Sequence, residues 1–361
     1  MRDILEDSIQ RLLADHVTPE LLRDCESGVW PAALWQLIED NGFTLALVSE
    51  AAGGSGLAWA DVYPVVVAAG QHALPLPVPE TLLAAWLLDQ SGIEVPSGAI
   101  TVADTTGCAV KATRTANGWQ LDGSLPQVPW GRSAPHAVVE VDVEGSTHIA
   151  LLALSGLPIR HDQNIAREPR DTVTLVATPV IALAHWPGGP SPIRLHGAML
   201  RCAQMAGATE RLVQQSIQYA GERVQFGKPI GKFQAIQQQL AVLGCESAAT
   251  AAGAAFAFEQ AGGDGAQLAI AAAKARAGEA AGQASAIAHA THGAIGFTYE
   301  HTLHFSTRRL WSWRSEFGHQ GWWSQRIGAA ICASELPFWE AVTSGHAAVL
   351  GAIHHNQTET A

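Results

Sequence analysis

Apolar residues follow a helical spacing in the first and last parts of the chain and a strand-like spacing between them. Within residues 1–97, positions such as Ile9 and Leu13 recur one helical turn apart, which is typical of a buried helix face. Within residues 98–190, short β-rich runs alternate with turns, and residues 117–118, Asn-Gly, favour a hairpin between two runs. The pattern therefore predicts helices followed by a small all-β domain or barrel.

A long helical region is predicted over residues 191–361. Ser191 can cap a helix and Pro192 suits its first position. Apolar positions then recur for about 31 residues, or roughly 46 Å of helix. Two further helices are expected over residues 233–262 and 267–289, and the second is rich in alanine. Since alanine-lined helices can approach closely, we expect a four-helix bundle.

Together these patterns predict an α+β protein with three domains. The expected domains are an N-terminal helical domain (1–97), a middle β-barrel domain (98–190) and a C-terminal helical bundle (191–361). A chain of 361 residues exceeds the size at which one core usually suffices. Its hydrophobic share of 48% is ample for large cores and for a buried oligomer interface.

Charge and targeting signals restrict the function classes. A formal net charge of -12 argues against a nucleic-acid partner and does not favour an anionic membrane surface. The start of the chain is charged and shows no signal-peptide pattern. The longest apolar run, near residues 248–258, is shorter than the roughly 20 residues that a membrane span needs. We therefore expect a cytoplasmic protein with no membrane partner.

The cysteines indicate neither a disulfide framework nor a zinc site. They are odd in number, lie far apart and form no C-x-x-C motif. Reduced thiols in a cytosolic protein are the plain interpretation. The five are Cys25, Cys108, Cys202, Cys245 and Cys332.

A corner between two predicted helices carries the first candidate chemistry. Residues 223–237 read R-V-Q-F-G-K-P-I-G-K-F-Q-A-I-Q, and their Gly and Pro residues interrupt the helical periodicity only briefly. Arg223 would close the preceding helix, and its planar guanidinium can hold a phosphate at two points. Phe226 and Phe233 flank the turn with flat apolar area. By spacing alone, the corner is either an ordinary helix–helix turn or an anion site.

This corner resembles the signature of the acyl-CoA dehydrogenase family, R-x-Q-F-G-x-P-I-x-x-F-Q-x-x-Q, nearly letter for letter. In that family the corner binds the pyrophosphate and adenosine part of FAD, usually the FAD housed mainly in a neighbouring subunit. The resemblance implies FAD as cofactor and an oligomer, either of identical chains or with a related subunit. It implies cofactor contacts from Arg223, Gln225, Phe226, Phe233 and Gln234.

A second motif, over residues 292–309, resembles the H-G-G-x-G-F-T-x-E-H segment of the same family, whose glycines contact FAD. We therefore expect contacts from Gly293 and Ala294, although Ala294 replaces the second glycine. Ala290 also stands where a FAD-binding Gln is common. Histidines lie in pairs three apart around this motif, but no Cys completes a metal site, so we expect packing histidines and no metal.

Oxidation of an acyl thioester needs a carboxylate that removes the α proton while flavin N5 takes a hydride from the β carbon. The family carries this base at one of two places. The first corresponds to Gly197, which has no carboxylate, and the second falls at Phe317, one residue from Glu316. We expect Glu316 to be the base. The alternative is that Glu316 simply forms an ion pair with Arg314 or another cation.

The β region departs from the family pattern. Residues 101–107 read T-V-A-D-T-T-G in place of T-E-P-x-x-G-S-D, and residues 127–131 read Q-V-P-W-G in place of W-I-x-N-G. Trp130 either stacks near the flavin ring or is a core aromatic. These departures resemble the partner subunits of heteromeric acyl-CoA dehydrogenases that act on bulky, steroid-like or branched CoA thioesters.

The resemblance implies FAD-dependent α,β-dehydrogenation of an acyl-CoA thioester, in fatty acid or steroid catabolism, with an electron-transfer flavoprotein as acceptor. Two alternatives remain open. One is an FAD-binding or structural partner subunit of a heteromeric enzyme, which the altered motifs favour. The other is a flavin oxidase or monooxygenase on the same fold.

Overall fold

The computed structural model describes residues 2–343 of the chain. Helices dominate both ends of this part, and strands occupy its middle, as the apolar pattern predicts. The helices are α1 (Arg2–His16), α2 (Pro19–Glu26), α3 (Ala32–Asp40), α4 (Trp59–Gln71), α5 (Val78–Gln90), α6 (Pro192–Glu222), α7 (Gln234–Gln260), α8 (Ala266–His292), α9 (Leu303–Trp313), α10 (Gln320–Ala333) and α11 (Phe338–Thr343). The strands are β1 (Ile100–Ala103), β2 (Lys111–Thr115), β3 (Gly118–Pro129), β4 (His136–Val143), β5 (Ser146–Ala153), β6 (Ile159–Arg160), β7 (Arg170–Pro179), β8 (Ala182–His185), β9 (Val224–Gln225) and β10 (Lys228–Pro229).

The middle of the chain forms two four-stranded sheets around one core. The first sheet has the order β1-β4-β5-β8 and the second has the order β2-β3-β7-β6. All pairings are antiparallel except that of β1 with β4. Inward-facing residues of both sheets, such as Leu125, Val139 and Val173, share one buried cluster. The hairpin predicted at residues 117–118 is confirmed, because β2 and β3 pair up to Thr115 and Gly118.

Two predicted helices have close counterparts in the structure. α6 begins at Pro192 and has 31 residues, as the Ser-Pro signal and apolar spacing predict. α7 has 27 residues, so the apolar run near its end belongs to a helix longer than the run itself. α7 is, within residues 2–343, the one helix that is long and apolar enough to cross a membrane by length and composition.

Residue packing divides the chain into two compact units. Unit 1 comprises the described parts of Met1–Pro19, Tyr63–Leu74 and Ala198–Ala361, and unit 2 comprises Glu20–Val62 and Pro75–Gly197. Unit 1 therefore contains the C-terminal helices, and unit 2 contains both four-stranded sheets. The division into three domains at residues 97 and 190 stays a prediction.

In unit 1, two glycines let α4 and α6 touch through their backbones. A Cβ at Gly70 would lie 1.9 Å from the carbonyl oxygen of Gln204, and one at Gly207 would lie 2.0 Å from that of Val67. Nonbonded heavy atoms are most stable about 3.5–4.0 Å apart. The approach of the two helices therefore excludes any side chain at these two positions.

We predict that Gly207→Ala lowers the free energy of unfolding by about 1–3 kcal/mol, because the added methyl forces α4 and α6 apart. Gly221→Ala is the matched control. It lies in the same helix, and a Cβ there would meet nothing within 4 Å. It should raise stability by up to about 1 kcal/mol through its better helix propensity. Urea unfolding followed by circular dichroism measures both, and equal stability of the two variants would contradict the close helix contact.

Candidate functional site

The corner between α6 and α7 folds as a two-residue β-hairpin. β9 and β10 pair antiparallel, with Gln225 opposite Lys228. The two tip residues, Phe226 and Gly227, have φ values of 50° and 76°, as a type I′ turn requires. A positive φ is unusual for a bulky residue, and such strain collects at functional sites. Phe226 is also 92% exposed, so its ring lies in solvent while its backbone is strained.

Arg223 is the exposed residue that joins α6 to the hairpin. Its backbone N–H donates to the carbonyl oxygen of Tyr219 at 2.8 Å, and its carbonyl oxygen accepts from the N–H of Ile230 at 2.8 Å. With its amide oxygen turned toward the guanidinium, Gln225 accepts from Nε at 3.3 Å and from Nη2 at 2.7 Å. Because a guanidinium has five N–H donors, the anchored Arg223 keeps donors for an anion.

The remaining predicted residues of the corner surround Phe233. Lys228 Nζ lies 4.4 Å from the centroid of the Phe233 ring, a cation–π distance. Phe226 packs edge-on against the same ring at 6.1 Å. Gln234 is exposed at the first position of α7. The hairpin therefore combines two cations, two aromatic rings and two amides on one exposed corner.

The second motif forms an exposed loop after α8. Gly293 ends that helix with a φ of 63°, and Ala294 follows it, both exposed. Gly296 is buried, and a Cβ there would lie 2.9 Å from the Cβ of His292. The altered position, Ala294, is therefore exposed, whereas the retained Gly296 is where space for a side chain is lacking. The loop also exposes large apolar side chains, namely those of Ile295, Phe297 and Tyr299.

The two motifs lie at the same end of unit 1. Tyr219, one turn before Arg223, stacks on His292 with ring centroids 4.6 Å apart. The side-chain amide of Gln215 donates to the Thr302 hydroxyl at 2.8 Å. These contacts join α6 to both ends of the loop, so the hairpin and the loop form one composite surface.

The histidines around this loop behave as packing residues. The rings of His292 and His301 lie 4.7 Å apart, and His289 stacks on Phe297 at 4.5 Å. Burial lowers the pKa of His289, His292 and His301, and the neighbouring imidazoles add to the effect for His289 and His301. Neutral rings are therefore favoured near pH 7. Among the described residues, no group of three or more His, Cys, Asp or Glu could hold a metal ion.

Trp130 lies in unit 2, buried at the end of β3. Its ring packs edge-on against Trp30 with centroids 6.3 Å apart. Its backbone N–H donates to the carbonyl oxygen of Pro169 at 3.1 Å. This packing matches the alternative of a core aromatic, and a flavin contact by Trp130 stays a prediction.

Glu316 is bound to a buried cation. Its Oε2 accepts from Arg201 Nε at 2.7 Å, with side-chain exposures of 17% for Glu316 and 1% for Arg201. Arg201 Nη1 also donates to Gln204 Oε1 at 2.5 Å, and its guanidinium lies over the ring of Phe317 at 5.3 Å. A guanidinium favours the ionised carboxylate over its protonated form. Glu316 thus has a structural partner that competes with any role as proton acceptor.

A second buried cation holds the turn that carries Glu316. Lys274, in the middle of α8, is fully buried. Its ammonium donates three hydrogen bonds to backbone carbonyl oxygens at the end of α9 and in the turn that follows, those of Trp313 at 3.2 Å, Arg314 at 3.0 Å and Gly318 at 2.9 Å. Three carbonyl acceptors match the three donors of an ammonium group, so Lys274 of α8 holds the turn that carries Glu316 in place.

Sequence reasoning missed both buried cations. Lys274 lies in an alanine-rich run of α8 that also contains Arg276, and Arg201 lies within the apolar run of α6. A single cation inside an apolar helix face is the signal that could have indicated buried pairing. The distance of 115 residues between Arg201 and Glu316 left the partner undetermined.

Comparisons with known proteins agree with the motifs. Residues 195–315 match the family described as "Acyl-CoA dehydrogenase, C-terminal domain". Acyl-CoA dehydrogenase IpdE2 of Mycobacterium tuberculosis is 30% identical over 320 residues, covering 85% of this chain and 90% of that protein. The chain therefore belongs to the acyl-CoA dehydrogenase family. It is an FAD-dependent oxidoreductase acting on CH–CH groups of acyl-CoA thioesters.

Two solved structures confirm the predicted α+β acyl-CoA dehydrogenase fold. The "Tcur3481-Tcur3483 steroid ACAD G363A variant" has a TM-score of 0.82 at 25% identity, covering 91% of this chain and 96% of that one. The ChsE4-ChsE5 complex from Mycobacterium tuberculosis has a TM-score of 0.84 at 24% identity, covering 93% and 98%. The second is described as a complex of two proteins, and the name of the first joins two protein names.

The composite surface fits FAD by its chemistry. Arg223 and Lys228 supply positive charge for a diphosphate, and the Gln225 amide can both donate and accept. Phe226 offers an exposed face to a planar base. The exposed backbone at Gly293 allows a ligand to approach closely.

We predict that the stability contribution of Lys274 depends on pH. Burial lowers the pKa of this lysine from 10.5 to about 8, although Cys202 and Glu316 oppose the shift. Between pH 8 and 10.5 the unfolded chain therefore binds more protons than the folded chain, so the free energy of unfolding rises with pH. Lys274→Met removes this titration. The stability gap between natural chain and variant should widen in favour of the natural chain by on the order of 1–3 kcal/mol from pH 8 to pH 10.

Denaturation at several pH values measures this gap. The variant also loses three hydrogen bonds, so a constant gap is expected below pH 7. A gap that stays constant up to pH 10 would contradict the lowered pKa of the buried Lys274.

Proposed function

We propose that this chain works in FAD-dependent α,β-dehydrogenation of a bulky acyl-CoA thioester as one subunit of a hetero-oligomer with a related chain. The observation that carries the proposal is the ion pair between Glu316 and the buried Arg201. It commits the candidate carboxylate of this chain to a structural role, so a second chain would supply the proton acceptor. The two-protein assemblies among the similar structures, one of them described as a steroid enzyme, support the same view.

The contribution of this chain is to bind and orient the cofactor at the hairpin. We assign the diphosphate to Arg223, assisted by Gln225 and Gln234, and the flat adenosine part to Phe226 and Phe233. Gly293 and Ala294 add backbone contacts from the neighbouring loop. The exposed Phe226, with its strained backbone, supports this role, because another molecule packing on its ring would bury it.

When bound, FAD supplies the hydride acceptor for the β carbon of the thioester. The α proton must pass to a carboxylate, and a carboxylate paired with a cation is a weaker base because the cation favours its ionised form. In this chain, Arg201 and Lys274 place two positive charges around the single carboxylate of Glu316. The turn after α9 therefore holds Glu316 beside two cations, and Glu316 does not act as the base.

A second candidate function is a self-sufficient dehydrogenase in which Glu316 is the base. It is favoured by the 17% exposure of the Glu316 side chain, which leaves the carboxylate partly accessible although Arg201 is buried. In that case Arg201 would have to release the carboxylate when the thioester binds. We propose the same acceptor, an electron-transfer flavoprotein, and the same cytoplasmic location for both functions.

The proposal is tested by purifying the tagged chain alone and together with the related acyl-CoA dehydrogenase chain that accompanies it in its source cell. We expect the pair to be yellow and to be bleached anaerobically by acyl-CoA, whereas the chain alone is not bleached. Bleaching of the chain alone at the rate of the pair would favour the second candidate. Rapid oxygen consumption by the reduced pair would instead indicate a flavin oxidase.

We predict that Arg223→Ala weakens FAD binding to the assembled enzyme by about tenfold to a hundredfold, because charge-assisted hydrogen bonds to the diphosphate are lost. Arg223→Lys should fall between, since an ammonium keeps the charge but not the forked geometry. Arg211→Ala, which changes an exposed arginine of the preceding helix α6, is the control. Flavin released on dilution measures all three, and equal retention would remove Arg223 from the cofactor site.

We also predict that Glu316→Gln leaves the rate of flavin reduction by acyl-CoA within about tenfold of the natural complex, while a lost general base would cost about a hundredfold to ten-thousandfold. The same variant should lower the free energy of unfolding by about 1–3 kcal/mol, because Arg201 loses its charged partner. Glu335→Gln, at an exposed position, is the control for both readouts. Stopped-flow reduction and urea unfolding separate the two roles, and a large rate loss with unchanged stability would establish Glu316 as the base.

A further inference from the structure

One imidazole lies where the end of α6 meets the loop after α8. His292 is the last residue of α8 and is buried. Its ring stacks on Tyr219 of α6 with centroids 4.6 Å apart, and it lies edge-on to the ring of His301 at 4.7 Å. A Cβ at Gly296 of the loop would lie 2.9 Å from the Cβ of His292. His292 therefore contacts α6 and two parts of the loop at once.

The contact with Tyr219 leads directly to the cofactor hairpin. The carbonyl oxygen of Tyr219 accepts from the backbone N–H of Arg223 at 2.8 Å. The carbonyl oxygen of Arg223 accepts in turn from the N–H of Ile230 at 2.8 Å, which ties the two strands of the hairpin together. Because Arg223 is exposed, these backbone bonds decide where its guanidinium lies. A shift of Tyr219 would therefore move Arg223 with the last turn of α6.

The position of His292 suits a neutral ring. Its Nδ1 lies 2.8 Å from the carbonyl oxygen of Ala288 and donates to it, so Nε2 carries the lone pair of the neutral imidazole. A proton on Nε2 would create a buried cation beside the ring of His301. Burial lowers the pKa of His292, although backbone groups of Ala288 and Gln215 oppose the shift. Because water solvates an imidazolium better than a buried site does, protonation favours an open arrangement in which the ring leaves α6.

The titratable groups that surround His292 come from every neighbouring element. They are Tyr219 of α6, His289 of α8, His301 of the loop and His304 of α9. Burial lowers the pKa of His301 most, and the imidazoles of His292, His304 and His289 lower it further. His292 likewise adds to the effect of burial on the pKa of His289. Each cation that forms in this cluster therefore disfavours the next one.

We propose that His292 is a positioning residue for the cofactor. Its neutral ring holds the last turn of α6, and with it Arg223, against the loop that begins at Gly293. Gain of a proton by this ring separates α6 from the loop and weakens the grip of the corner on the cofactor. The assignment rests on the cofactor role of Arg223 proposed above, and it adds a residue that touches neither the diphosphate nor the thioester.

Flavin retention at two pH values tests this assignment in the assembled enzyme. An imidazole whose pKa is lowered in the closed arrangement stabilises that arrangement fully above its ordinary pKa of 6.5, and the stabilisation is lost as the pH falls below this value. Between pH 7.5 and pH 5.5, the natural enzyme should therefore lose about threefold to tenfold in affinity for FAD.

Three variants separate the ring from its charge. His292→Phe keeps a flat ring beside Tyr219 but cannot take a proton, so it should bind FAD as the natural enzyme does at pH 7.5 and lose most of the acid effect. His292→Ala removes the ring and should weaken FAD binding at both pH values. His16→Phe, at an exposed position of α1, is the matched control and should keep the acid effect.

Hydrogen exchange separates the role of His292 from the cofactor role of Arg223. After the flavin has been removed, the peptide that contains Arg223 and Ile230 should exchange faster at pH 5.5 than at pH 7.5, relative to the intrinsic rate at each pH. The increase reflects loss of the backbone bonds that hold the hairpin. The same peptide of His292→Phe should show no such increase.

The outcomes point to different conclusions. Unchanged exchange of this peptide on acidification, the same acid effect in the natural enzyme and in His292→Phe, or loss of FAD by His292→Phe at pH 7.5 would each overturn the positioning role. Faster exchange at pH 5.5 with unchanged flavin retention would leave the positioning of the hairpin standing and would instead overturn the cofactor role of Arg223.

Discussion

The neutralisation of two buried cations determines the structure around the candidate base. Lys274 and Arg201 lie inside unit 1, where an uncompensated charge would cost several kcal/mol. Lys274 is satisfied by three carbonyl oxygens and Arg201 by the carboxylate of Glu316. Because these acceptors all come from the end of α9 and the turn that follows it, that segment has little freedom to adopt another path. The constraint shows that Glu316, the candidate base, also satisfies a buried cation of the fold.

The proposed cofactor corner differs from this buried region, since its side chains are exposed to solvent and another molecule would have to cover them. The hairpin holds Phe226 at a positive φ and exposes it almost fully. The neighbouring loop exposes Phe297 and Tyr299 beside it. Strain and apolar exposure both cost free energy in the isolated chain. In the proposed assembly, a cofactor that covers these side chains would recover that cost.

The sequence predicts local features here better than it predicts distant pairings. The start of α6 can be predicted because Ser191 and Pro192 form a local helix-start signal. The hairpin between β2 and β3 can be predicted from its Asn-Gly turn. The corner motif was recognisable because its residues are contiguous. The pairing of Arg201 with Glu316 was not, because it depends on how α6 and the turn after α9 pack. The positive φ of Phe226 was also hidden, since phenylalanine carries no preference for that conformation.

The exposed face of α7 shows why apolar periodicity alone is ambiguous. A helix with apolar residues on opposite faces appears in the sequence as a wholly buried helix, whether its cover is the same chain or another one. Only the structure separates the buried face of α7, which contains Leu243 and Phe258, from its exposed face, which contains Val242 and Ala248. The hairpin leads into α7 through the short turn Ile230–Lys232. A contact that fixes α7 therefore also fixes the base of the hairpin.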